Sequence, residues 1–154
     1  MTPNPKLKLF LKPYSQEIQT LTYQLRDYLT ELVPQANELI WDNYNALAMA
    51  YCKSEKLSDA FCHISVYAKH VNFGFNRGAE LTKTNLKLEG KGKLIRHLKV
   101  KDYPSFPKEA ITTMVWEAVQ ISEQLNPELR NKEDLGGSIV MSISEKKIRP
   151  TNKV

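Results

Sequence analysis

The sequence predicts an α+β fold: a small curved antiparallel sheet with helices packed on one face. Three observations carry that expectation. A helical period of apolar residues opens after Ser15, short alternating runs follow between Phe61 and Val100, and a helical period returns between Ser105 and Asn126. The chain has 154 residues, 42% apolar and 25% charged, which suits one domain with a single core. Neither disorder nor a membrane class fits that composition.

Residues 1–14 read as an N-terminal extension, 15–127 as the domain, and 128–154 as a C-terminal tail that adds a strand at Ser138–Ile143. Ser15 serves as an N-cap. Ile18, Leu21, Leu25, Tyr28, Leu29 and Leu32 then recur at helical spacing, with Asp27 and Glu31 on the opposite side. Pro34 ends this helix and suits the first turn of a second one through Ala36, Leu39, Ile40 and Trp41. Ala46–Cys52 is a short apolar run whose period alone does not choose between helix and strand; Ser54-Glu55-Lys56 closes it like a turn.

Phe61–Tyr67 alternates, with Cys62, Ile64 and Val66 on one face and Phe61, His63, Ser65 and Tyr67 on the other. A reversal at Ala68-Lys69-His70 leads into a strand over Val71–Phe75. Leu94–Val100 reads as a further strand, with Leu94, Arg96, Leu98 and Val100 facing away from Ile95, His97 and Lys99. In the last helix Ser105 caps, Pro107 sits in the first turn, and Asn126-Pro127 stops the chain. Ile111, Met114, Val115, Ala118, Val119 and Leu125 line its buried side, and Trp116 falls off that stripe. Cys52 and Cys62 are about equally far from a turn near Leu57, a spacing that lets them face each other across a hairpin as two reduced thiols.

Charge is segregated along the chain. The net charge is +5, with a pI near 9.1. Residues 46–101 hold eleven basic side chains against four acidic ones, while the flanking segments 15–45 and 102–127 are acidic. An anion would therefore sit in the middle of the chain. Within it, Gly90-Lys91-Gly92-Lys93 precedes Arg96-His97. Glycines let backbone N–H groups turn toward an anion, and Lys and Arg supply charge from the strand that follows. This is not a Walker loop, because the glycine spacing and the Ser or Thr after Lys are missing.

Arg77 leaves the preceding strand, and Gly78 is expected to permit a positive backbone angle there. If the Arg77 guanidinium points to the side of Arg96, the two clamp a carboxylate or phosphate; otherwise Arg77 braces the turn by pairing with Glu80. The candidate ligand-binding set is thus Arg77, Gly90, Lys91, Gly92, Lys93, Arg96 and His97. His63, His70 and His97 lack the short spacing of metal ligands, so no metal site is expected. No Cys-His or Ser-His-Asp order points to a nucleophile, and nothing calls for a cofactor.

Two segments also resemble a known family. Val71-Asn72-Phe73-Gly74-Phe75-Asn76-Arg77-Gly78-Ala79-Glu80-Leu81 is similar to a strand entering an Arg-Gly-Ala-x-Leu turn. Leu88-Glu89-Gly90-Lys91-Gly92-Lys93-Leu94-Ile95-Arg96-His97-Leu98-Lys99-Val100 is similar to a Leu-x-Gly-x-Gly-Lys-x-x-Arg-His-x-Lys-Val loop and strand. In that order, with Trp116-Glu117-Ala118 on the following helix, they resemble the YdhG-like domain family over residues 15–125. Residues 43–60 depart from its pattern. The resemblance implies an α+β fold in a group of largely uncharacterised bacterial proteins, one branch of which has been proposed as frataxin-like iron chaperones. No motif here places the chain in that branch.

Taken together, the residues lead to a cytoplasmic domain that binds a small anionic ligand or metabolite, with catalysis unsupported. Iron handling is the alternative, with Glu17, Asp27, Glu31, Glu38 and Asp42 as hard oxygen ligands on the first helices. A protein-interaction module using the Trp116 side, including a homodimer, is the other. Nucleic acid is disfavoured because Phe73 and Phe75 fall at core strand spacing, with only Tyr103 besides them near the basic segment.

Overall fold

The computed structural model describes residues 1–83 and 86–148, so residues 149–154 of the expected tail lie outside the described residues. It has the expected α+β architecture. Helices α1 (Pro5–Leu11), α2 (Gln16–Leu32) and α3 (Lys108–Leu125) accompany strands β1 (Asn37–Asp42), β2 (Leu47–Cys52), β3 (Cys62–Val66), β4 (Val71–Phe75), β5 (Arg96–Val100) and β6 (Ser138–Ile143). The six strands form one sheet in the order β5-β4-β3-β2-β1-β6. Every neighbouring pair is antiparallel except β1 and β6, which run parallel.

The core lies between the helices and one face of this sheet. Leu21, Leu25 and Leu29 of α2 and Ile111, Met114 and Val115 of α3 cluster with Met49, Ile64, Phe73 and Phe75. Ser15 caps α2 as its position predicts, its hydroxyl accepting the Ile18 N–H. Asp27 and Glu31 are exposed, and Leu32 is half-buried rather than buried.

The chain departs from expectation in several places. The second helix is strand β1. It lies between β2 and β6, and Leu39 and Ile40 are both buried although they point opposite ways, Leu39 in a small cluster with Ala50, Cys52 and Ala60. Consecutive apolar residues of this kind carry no period-2 signal. Residues 1–14 belong to the domain: Asn4 caps α1, Leu7 and Leu11 are fully buried, and the Tyr14 hydroxyl donates to the Val66 carbonyl at 3.3 Å. Ser105 does not cap α3. Its N–H is held by Asp102 Oδ1 at 2.9 Å in the turn before the helix, and Pro107 occupies the cap position. Leu125, at the end of α3, is exposed, while Ser122 takes the buried place.

Cys52 and Cys62 do not face each other. Tyr51 is the register partner of Cys62, and that one-residue offset sends the two thiols to opposite faces of the sheet. Both are buried. Burial pushes the Cys52 thiol up to about 11 and the Cys62 thiol well above its ordinary value, so both stay protonated at neutral pH.

One polar network crosses the core. Arg26 of α2 is fully buried and meets Glu38 of β1 through Nε at 2.9 Å and a second guanidinium nitrogen at 3.0 Å. Tyr51 and Ser138 each donate a hydroxyl to the same carboxylate at 2.7 Å. Burial works against the Arg26 charge, but the bonds to Glu38 outweigh it and raise its pKa. Burial, with Glu38 beside it, also holds the Tyr51 phenol well above its ordinary value. A different constraint admits β6: Gly136 donates to the Pro34 carbonyl, and a Cβ there would fall 1.7 Å from the Ala36 oxygen. Only glycine permits that crossing.

Candidate functional site

The helices leave the other face of the sheet uncovered across its middle. Two rows of side chains follow from the strand register. One runs Ala50, His63, Gly74, His97 across β2, β3, β4 and β5. The next runs Trp41, Ala48, Ser65, Asn72, Lys99 across β1 to β5. Small side chains in the middle of both rows leave a depression. Asn43, Leu57, Tyr67, Asn76 and Ile95 wall it, and the resulting cavity measures about 540 Å³, within the usual range for small-molecule sites.

Gly74 makes room for His63. A Cβ at Gly74 would lie 2.2 Å from His63 Nε2, so the imidazole rests directly over the glycine. His63 Nδ1 is 3.0 Å from Asn76 Oδ1. An amide oxygen only accepts, so Nδ1 carries the proton and Nε2 keeps its lone pair. Burial, together with His97, outweighs the bond to Asn76 and lowers the His63 pKa, leaving the ring neutral at pH 7. Nearby, Asn72 Oδ1 is buried with no hydrogen-bond partner.

A second, basic groove of about 420 Å³ adjoins this cavity. Arg77, Gly92 and Lys93 line it, and it shares Leu57, Asn76 and Ile95 with the first cavity. The two hollows adjoin along these residues, with an apolar floor in one and cationic side chains lining the other.

Of the residues singled out in the sequence, Arg77, Gly92 and Lys93 meet in the groove, and His97 lines the adjoining cavity. The two-arginine clamp does not form. Arg77 is the brace: its guanidinium grips the Glu80 carboxylate through two nitrogens, one of them at 3.0 Å. Arg96 donates to the Gly92 and Ile95 carbonyls, both at 2.7 Å, and so holds the loop's shape instead of lining either hollow. Gly90 is the glycine with a positive angle, at φ 140°, and a Cβ there would press on the Ile95 oxygen. Gly78 has no positive angle; it is needed because Arg96 Cβ packs against it at 2.5 Å from where its own would stand. Lys91 is exposed and lines neither hollow. His97 exchanges backbone hydrogen bonds with Glu89 at 2.8 Å, and its ring lies 3.6 Å from the Glu89 carboxylate.

Another side chain sets this region from the helix layer. Glu117 of α3 is buried and accepts the N–H groups of Thr82 and Lys83 at 2.9–3.1 Å, plus the Thr82 hydroxyl. Burial opposes its charge, yet these bonds win and lower its pKa. The segment between β4 and the glycine loop is thereby fastened to α3.

The expected acidic face does not exist as such. Glu38 and Asp42 lie on β1 and are buried, Glu38 against Arg26 and Asp42 against Lys147 at 2.8 Å. Among the described residues no group of three or more His, Cys, Asp or Glu side chains gathers to hold a metal ion. Nor is any described helix long and apolar enough to cross a membrane.

Sequence reasoning missed Trp41, Ala48, Ala50 and Asn72. The signal was present in part: His63, Ser65 and Tyr67 share one side of a central strand, and Gly74 interrupts its neighbour. A polar face and a glycine in adjacent interior strands mark a sheet surface that no helix covers. The chain matches no protein-family model, no curated protein and no solved structure.

Proposed function

We propose that the protein binds a small anionic ligand in a trough made of the two hollows, the apolar body of the ligand on the open sheet face and its anionic group at Lys93. The observation that carries this reading is that the two hollows adjoin, sharing Leu57, Asn76 and Ile95 in their walls. A cavity floored by Ala48 and Ala50 rewards burial of apolar surface, and Lys93 supplies a cation that no carboxylate of the described residues neutralises. Arg77 and Arg96 support the groove's shape, and His97 extends its wall. The likeness to YdhG-like domains belongs to the same reading, since both motif segments border the trough.

A charge-assisted contact contributes roughly 1.5–3 kcal/mol before the entropic cost of association. With a partly exposed apolar body, affinity in the micromolar to millimolar range follows. Calorimetric titration with naphthalene-2-acetate tests this. Saturable binding that weakens about tenfold in Lys93→Ala, and weakens with added salt, supports the reading. Absence of saturable binding by this and other aromatic carboxylates overturns it.

A further inference from the structure

We infer that the ligand is a flat ring system carrying an N–H donor on the edge that meets the sheet. This inference rests on the proposed binding trough and adds the chemistry of its floor. Two acceptors there have lone pairs to spare. Asn72 Oδ1 is buried without a partner, and His63 Nε2 is free to accept because Asn76 holds the ring's proton on Nδ1. They project from the same face of neighbouring strands, His63 opposite Gly74 and Asn72 two residues from that glycine in the β3–β4 register.

Buried acceptors without donors are uncommon in folded proteins, and a small set of them facing a cavity is what a hydrogen-bonding ligand would complete. The His63 ring stays neutral at pH 7, so Nε2 does not become a donor itself. Shape points to a planar partner. The floor is built from Ala48 and Ala50, the small side chains of β2, with the His63 ring lying over Gly74 beside them, and Trp41 stands at one end of the row. A ring lying over the two alanines reaches the acceptors edge-on, whereas a branched aliphatic body would not. The basic groove next to it receives the anionic substituent.

The class is therefore an anionic heteroaromatic with an N–H in the ring, of which indole-3-acetate is a simple probe. Calorimetric titrations of the full chain would compare it with 1-methylindole-3-acetate and naphthalene-2-acetate, both of which lack the donor. The expected result is binding of all three, with indole-3-acetate tighter by about tenfold or more. Asn72→Leu, which keeps the size and removes the acceptor, should shrink that preference by weakening indole-3-acetate more than naphthalene-2-acetate; circular dichroism would show that the variant is folded. Equal affinity for the three probes overturns the donor inference and leaves the anion-binding trough standing. Failure of all three to bind overturns both.

Discussion

Leu47, Met49, Tyr51, Ile64, Val66, Val71, Phe73 and Phe75 occupy the helix-covered face of the sheet without exposed surface. The same three strands, β2 to β4, present Ala48, Ala50, His63, Ser65, Asn72 and Gly74 on the other side. Strands alternate by geometry, so each supplies both faces at once. On the first face large side chains interdigitate and even the polar residues are paired, as Arg26 and Glu38 show. On the second the side chains are small, and two acceptors are left over. Stability is concentrated where the helices lie; the uncovered face contributes little to it and is free to serve a ligand.

Substitutions on the two faces should separate these roles. The largest effect is expected at Arg26. Arg26→Met leaves the Glu38 carboxylate buried with only hydroxyl donors, which should cost about 3–5 kcal/mol. Urea unfolding would measure it; a loss below about 1 kcal/mol would mean that Glu38 finds water and that the covered face tolerates a broken pair. Leu25→Ala, in the middle of the α2 contact, should cost roughly 2–5 kcal/mol by the same measurement, and a near-neutral result would show that α2 buries a different face.

The smallest effect belongs to the open face and appears as a pH slope. The His63 pKa in the folded chain lies below the ordinary value of 6.5, so the unfolded chain binds the proton more readily. Stability is therefore intact above about pH 6.5 and falls as the pH drops from there toward the folded value. His70, lowered by burial and by Lys99, acts in the same direction. Around His63 the facing groups are Asn76, Ala50, Gly74 and His97, with no carboxylate among them to reverse the sign. Thermal melts between about pH 7 and pH 5 should show the decline, and His63→Gln should flatten part of it. A wild-type melting temperature that rises in acid would contradict the environment described for this ring.

Much of the fold was legible in the sequence because most of its elements have one buried face. α2 and α3 show a helical stripe, and β3 shows strict alternation whose two faces match expectation from Cys62 to Val66, although Phe61, expected on the His63 side, packs instead in the helix-side core. β1 was misread for the opposite reason. Leu39 and Ile40 are buried on opposite faces, so Leu39-Ile40-Trp41 carries no period, and Pro34 reads equally well as a helix start. The glycine loop was visible through its composition, but side-chain direction was not. Nothing in the spacing shows that Arg96 turns back on its own loop, or that Arg77 takes Glu80 three residues on. The apolar half of the trough was hidden because it is assembled by register. Trp41 and Asn72 stand in one row only once β1 to β4 are aligned.

The pairing of β6 with β1 has a kinetic consequence. Strands β1 to β4 form a meander of short hairpins, whereas Ser138 meets Glu38 across a separation of 100 residues. Closing so long a loop carries the larger entropic penalty, so β6 docks after the meander has formed. Until then the outer edge of β1 stands open, with Glu38 short of one hydroxyl and Leu39-Ile40-Trp41 offering an unpaired apolar strand. Such an edge pairs with whichever strand arrives first. Folding of this chain is thus a race between its own last strand and the strands of its neighbours, and crowding the solution with unfolded copies tilts that race toward aggregation.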